Sequence, residues 1–147
     1  MILYSGMNRV GQIWDTRSGK SIVFLKGHVD DILTMDFSNH SHLATGSSDN
    51  TTRIWDLRNL GRSSVHCLLG HTNLVSMVKY RDILGETFCC TGSYDGSVRI
   101  YETHGYTCLK ILEGSGDKVV GLDWSPNGSF IGVAGYERIV RVYGTDT

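Results

Sequence analysis

Short runs that alternate apolar and polar residues, separated by clusters of turn formers, follow one another along the whole chain. Such alternation puts successive side chains on opposite faces of a strand. One unit reads clearly. An apolar segment with Ile32, Met35 and Phe37 is followed by the turn formers Ser38 to His42 and then by a strand from Leu43 to Gly46. An acidic turn leads to Thr52–Trp55, where Arg53 and Trp55 share one face and Ile54 takes the other. A looser connection through Arg58 and Gly61 reaches a fourth predicted strand, Val65 to Leu69. Predicted strands also open the chain at Ile2 to Ser5 and end it at Ile139 to Tyr143.

The unit recurs. LATGSSDNTTRIWD (43–56), TGSYDGSVRIYE (91–102) and VAGYERIVRVYG (133–144) line up, and LYSGMNRVGQIWD (3–15) heads the chain. Their closing aromatics, Trp14, Trp55, Tyr101 and Tyr143, lie 41, 46 and 42 residues apart. Between them Gly27-His28, Gly70-His71 and an eroded Gly114-Ser115 are 43 and 44 apart. Each precedes an apolar segment, the second with Val75, Val78 and Tyr80 and the third with Val119, Leu122 and Trp124. The middle copy is longer, because Tyr80 to Phe88 spans two more residues than Phe37 to Leu43. That difference reads as a loop insertion.

Composition supports an all-β chain. Gly makes up 18 of 147 residues against a single Pro, about 12% where ~7% is typical, so tight turns are many. The longest purely aliphatic or aromatic run is Ile22 to Leu25, far short of a membrane helix or a signal-peptide core. A soluble protein with no export signal and no membrane partner is expected. Lys plus Arg total 14 and Asp plus Glu 15, so bulk attraction to nucleic acid is not expected either.

Candidate chemistry narrows quickly. Cys67, Cys89, Cys90 and Cys108 lack metal-ligand spacing, and neighbouring Cys89 and Cys90 face opposite ways on a strand. They read as buried, reduced thiols of an intracellular protein. His40 and His42, two apart in a turn, lack a third ligand nearby and read as solvated. Gly19-Lys20-Ser21 resembles the tail of a phosphate loop, but Trp14 stands where that loop needs Gly. A hydroxyl, a His and an Asp recur together, yet at the same place in successive repeats, as a scaffold would have them and an active site would not. Arg53, Arg99 and Arg141 share one repeated position and read as stems packed between sheets. Neither a catalytic residue, nor a metal, nor a cofactor is expected.

A period of ~40 to 45 residues with G-H and W-D signatures and four strands per repeat resembles the WD40 β-propeller family. The resemblance implies a partial blade at 1–26, full blades at 27–69 and 70–113, and a partial blade at 114–147 lacking its outer strand. It also implies a buried network in which the Trp55 indole donates to Thr45, the Thr45 hydroxyl donates to His28, and the His28 ring meets Asp49. The next blade keeps His71, Thr91 and Asp95 but has Tyr101 for Trp. The last has Ser115, Val133, Glu137 and Tyr143, and the first has Asn8 in the acidic position. Asp30, Asn73, Tyr94 and Tyr136 fall beside the Gly-His pairs and acidic turns, on loops that gather at one face of a propeller, and are candidate partner-binding residues.

Within the family, IWDTRSGKSIVFLKGH (13–28), HLATGSSDNTTRIWDLR (42–58) and HTNLVSMVKY (71–80) resemble the WD-repeat subunits of spliceosomal U4/U6 small nuclear ribonucleoproteins. That resemblance implies a nuclear, non-catalytic scaffold in pre-mRNA splicing that docks protein splicing factors and meets U4/U6 RNA indirectly. The alternative is a WD-repeat adaptor or substrate receptor in signalling or ubiquitin-ligase complexes. Two full and two partial blades are too few for a ring, so an open fragment that self-associates through its end blades is expected.

Overall fold

The computed structural model describes residues 2–5, 9–39, 41–59, 64–113 and 116–144. Fourteen strands are formed among them: β1 Ile2–Ser5, β2 Val10–Asp15, β3 Lys20–Lys26, β4 Ile32–Phe37, β5 His42–Ser47, β6 Thr52–Asp56, β7 His66–Leu68, β8 Val75–Ile83, β9 Glu86–Ser93, β10 Ser97–Glu102, β11 Cys108–Glu113, β12 Val119–Trp124, β13 Phe130–Gly135 and β14 Val140–Gly144. A single 3-10 turn, Leu57–Asn59, is the only helical segment described. No described helix is long and apolar enough to cross a membrane.

Consecutive strands pair antiparallel into four separate meanders, β1-β2-β3, β4-β5-β6-β7, β8-β9-β10-β11 and β12-β13-β14. Each inner strand of the last three meanders starts with an irregularity in register, between Ile32 and Thr34, Val75 and Met77, and Val119 and Gly121. The bulge steepens the local twist where the strand leaves its loop.

Three apolar clusters fill the three gaps between four stacked sheets. Ile13 and Leu25 of the first sheet meet Leu43 and Trp55 of the second. Ala44, Ile54 and Leu68 on the other face of the second meet Val75, Val78, Tyr80 and Cys89 of the third. Cys90, Val98 and Leu112 on the third sheet's far face meet Val119, Leu122, Trp124, Ile131 and Val133 of the fourth. Cys89 and Cys90 therefore enter different cores, and burial pushes the thiol pKa of both upward. Burial holds for these two alone: Cys67 and Cys108, expected to be buried as well, are free but exposed, because they lie on the outermost strands β7 and β11. The outward faces of the two end sheets present exposed apolar side chains, Ile22 and Phe24 at one end and Val120, Val140 and Val142 at the other.

Close approach of the sheets depends on two glycines. A Cβ at Gly46 would lie 2.6 Å from Val75 Cγ1 and 2.7 Å from Thr34 Cγ2, and one at Gly92 would lie 2.7 Å from Val119 Cγ1. The inner strands are also tied directly across the gap. Val78 N–H donates to Thr34 Oγ1 at 3.2 Å, Tyr80 N–H donates to Asp36 Oδ2 at 2.7 Å, and Ser76 Oγ donates to the Val119 carbonyl at 2.5 Å. Side chains of one sheet thus satisfy backbone groups on the free edge of the next, which buried edges require.

Two local readings are corrected. The extra residues of the middle repeat do not form a loop: β8 and β9 continue pairing through Arg81↔Phe88, Asp82↔Thr87 and Ile83↔Glu86, and only Leu84 and Gly85 turn. Cys89, not Phe88, occupies the place of Leu43. His42 opens β5 instead of lying in a turn, while His40 lies outside the described residues. A hairpin register follows from where the turn residues with positive φ fall, and here these are Leu84 and Gly85.

Gly46→Ala is expected to destabilise the protein by about 1–3 kcal/mol through overpacking. Gly132→Ala, where an added Cβ meets nothing closer than 3.9 Å, is expected to be neutral or slightly stabilising. Paired denaturant melts of the two variants check this contrast.

Candidate functional site

The loop end of the second sheet is held by one shared hydroxyl. Thr45 is fully buried; its Oγ1 accepts the Trp55 Nε1–H at 3.0 Å and lies 2.7 Å from His28 Nε2. His28 Nδ1 is 2.8 Å from Asp49 Oδ2, which also accepts the Val29 N–H at 3.1 Å. Thr45 receives one proton from the indole, and its own proton faces the imidazole at 2.7 Å against 3.5 Å to the Arg53 carbonyl. The arrangement suits a neutral His28 that donates from Nδ1 to Asp49 and accepts at Nε2. The third sheet repeats it: His71 Nε2 is 2.8 Å from Thr91 Oγ1 and His71 Nδ1 is 2.8 Å from Asp95 Oδ2. Tyr101 stands in the Trp place with its phenol turned to Thr91, and burial pushes the phenol pKa up to about 12.

Sequence reasoning passed over two further members of each set. Thr51 Oγ1 donates to Asp49 Oδ1 at 2.6 Å, and Ser97 Oγ donates to Asp95 Oδ1 at 2.7 Å. Ser47 and Ser93 lie two residues before these acids. Their hydroxyls accept the Asp49 and Asp95 N–H and donate to the Asp30 and Asn73 carbonyls, at 3.2 and 3.0 Å. The signal was available as a repeated S-x-D-x-[ST], at 47–51 and 93–97. In the last repeat Gly135, Glu137 and Ile139 replace it, and Arg141 instead pairs with Glu137 at 3.1 Å. Asn8 and Ser115 lie outside the described residues. Arg53 and Arg99 pack against the Gly27 and Gly70 loops, donating to Ser64 Oγ at 2.9 Å and to the Gly70 carbonyl at 2.8 Å. Among the described residues no group of three His, Cys, Asp or Glu is placed to hold a metal ion.

This frame positions the loop face. Backbone bonds Ser48 N–H to Asp31 O, Tyr94 N–H to Leu74 O and Tyr136 N–H to Lys118 O, all 2.9 to 3.0 Å, tie each acidic turn to the loop entering the inner strand. Asp30 and Asn73 are exposed, and each accepts the next residue's N–H at 2.8 Å, so their first task is to shape those loops. Tyr94 is half-buried and Tyr136 is 68% exposed. The structure brings these two together around Lys118, whose Nζ lies 5.2 Å from the Tyr94 ring and 5.7 Å from the Tyr136 ring. Cation–π attraction holds at such distances.

The profile of the WD40 family (WD domain, G-beta repeat) matches residues 19–56, 62–102 and 106–144. The chain belongs to the WD40-repeat family. Among its relatives, it is 33% identical to a guanine nucleotide-binding protein subunit beta of Arabidopsis thaliana over 92% of its own length and 38% of that protein's. It is 28% identical to the nuclear distribution protein nudF of Aspergillus niger, over 90% of this chain and 30% of the relative. It is 32% identical to the DENN domain and WD repeat-containing protein SCD1 of Arabidopsis thaliana, over 88% of this chain and 11% of the relative. The chain thus spans less than two fifths of each. WD40 repeats are interaction scaffolds, generally without catalysis, and bind other proteins; the His–Thr–Asp sets of this WD40 chain are built into its blades.

Burial holds the pKa of His28 and His71 below the usual imidazole value of 6.5, against the pull of their aspartates. Burial raises Asp49 and Asp95, but their hydrogen bonds prevail and hold both carboxyls low, Asp95 at about 2. Every one of these folded pKa values lies below its unfolded value, so the unfolded chain takes up protons first on acidification. Stability is therefore expected to fall as pH drops below about 6.5 and to fall further as the carboxylates protonate, and a thermal-melt series across pH measures it. Removing His28 strands Thr45 and Asp49. His28→Ala is expected to cost about 1–3 kcal/mol and to flatten part of the pH slope that begins below 6.5.

Proposed function

We propose that this chain docks protein partners on its loop face, centred on Tyr94, Lys118 and Tyr136 with Asp30 and Asn73 at the side. One observation carries the reading: a lysine from one loop sits within cation–π distance of two tyrosines of successive blades and restrains both rings. Aromatic side chains fixed at a surface lose little entropy on binding and are enriched at the energetic centres of interfaces. The splicing role implied by segments 13–28, 42–58 and 71–80 makes the partners protein factors of the U4/U6 particle, the RNA contact indirect and the location nuclear. No membrane and no cofactor enter this reading.

A second reading is favoured by the match to the guanine nucleotide-binding subunit beta, which covers 92% of this chain. It makes the chain an adaptor in a signalling complex.

Co-purification from cells separates the two. Enrichment of U4 and U6 RNAs with the tagged protein is expected, and their absence overturns the splicing assignment. Tyr94→Ala combined with Tyr136→Ala is expected to weaken partner retention about tenfold or more while leaving the melting temperature within a few degrees, because both rings lie outside the cores. Unchanged retention of every partner removes the loop face from consideration.

A further inference from the structure

At the opposite end of the sheets the β8–β9 hairpin stands apart from its equivalents. Phe37, Tyr80 and Trp124 occupy the same level, paired with Leu43, Cys89 and Ile131. Beyond that level the second and fourth sheets close at once, through Ser38 N–H to His42 O and Ser125 N–H to Phe130 O. The third sheet continues for three more pairs, to Ile83↔Glu86. Its strand pairing thus runs two pairs further than in its neighbours, roughly 7 Å at ~3.4 Å per residue; Ile83 in the last pair is level with the Gly128 turn of the fourth sheet, and the Leu84–Gly85 turn stands beyond it.

The tip is a two-residue turn with positive φ at both positions, 51° at Leu84 and 89° at Gly85. Asn, Asp or Gly belongs at the first position of such a turn, and a bulky apolar side chain there is strained. Leu84 is also fully solvent-exposed, at 102% of the reference area. Neither turn chemistry nor burial accounts for a leucine at this place.

The finger beneath it is rigid. The Asp82 carboxylate accepts from the Asn39 amide of the neighbouring blade and from Thr87 Oγ1 across the hairpin. Thr103 Oγ1 donates to the Thr87 carbonyl at 2.9 Å. Ile83 packs on the Gly128 turn of the next blade so closely that a Cβ at Gly128 would lie 2.6 Å from Ile83 Cγ1. Three blades thus brace one exposed leucine, the preorganisation that an interface anchor needs.

We propose that Leu84 anchors a second docking site, on the face opposite Tyr94 and Tyr136, by inserting into an apolar pocket of a folded partner protein. The charges beside it define the rim of that pocket. Asp82 and exposed Glu86 flank the tip against one nearby cation, Arg81, so the rim carries a net negative charge and a pocket with basic residues at its mouth is complementary. The same carboxylates and the narrowness of a single hairpin disfavour an anionic membrane or a nucleic acid, which would need a basic surface.

The test places a photo-crosslinking phenylalanine analogue at position 84 of the full protein in its own cells. A discrete protein adduct is expected. The captured protein, purified, is expected to bind Leu84→Asn at least tenfold more weakly than the parent, although Asn tolerates the positive φ and leaves the melting temperature equal or higher. Tyr136→Ala is expected to bind that protein as the parent does. The proposal is overturned by the absence of a protein adduct, by an adduct only to lipid, RNA or a second copy of this chain, by unchanged affinity of Leu84→Asn, or by an equal loss with Tyr136→Ala.

Discussion

A sheet with apolar side chains on both faces has no stable place in water except between two others, and that constraint organises the molecule. Ile54 and Trp55 are neighbours on one strand yet belong to different cores, as do Cys89 and Cys90. Each of the two middle sheets is consequently a shared wall, and its stability belongs to its pair of interfaces. The glycines at 46 and 92 let the walls close to contact.

The hydrogen-bond sets at the loop end follow from that closeness. A buried threonine hydroxyl, an imidazole and a carboxylate would each be costly alone, and the Thr45 oxygen satisfies the indole and the imidazole together. The set joins the loop before each inner strand to the turn between the second and third strands. In the third sheet a phenol replaces the indole and the remaining members keep their distances. In the last repeat the acidic turn carries Glu137 paired to Arg141, a solvent-exposed ion pair of modest worth.

Rigid blades present different surfaces at their two ends. At the loop end a cation and two aromatic rings from successive blades converge. At the other end one hairpin outreaches its neighbours and holds a leucine in an unfavourable turn position. Both features use the repeat as a platform and depart from it locally, as functional loops on a regular scaffold do.

Much was legible in the chain itself. The period, the strand alternation and the pairing of Arg53 with Trp55 on one face follow from local pattern and repeated spacing, because strand geometry with period two fixes which side chains share a face, while the His28–Thr45–Asp49–Trp55 set was legible through the resemblance to the family. The hydroxyls of Ser47, Thr51, Ser93 and Ser97 carried a readable signal too, though hydroxyl residues are common enough in turns to pass unnoticed. Other features depended on contacts between residues distant in sequence. Lys118 meets Tyr94 and Tyr136 only because adjacent blades bring two turns beside one loop. The extra residues after Tyr80 became strand because Asn39 and Gly128, each about 45 residues away by the repeat period, brace the hairpin from both sides. Local alternation continues equally well into a loop or a longer strand, and packing between blades decides which.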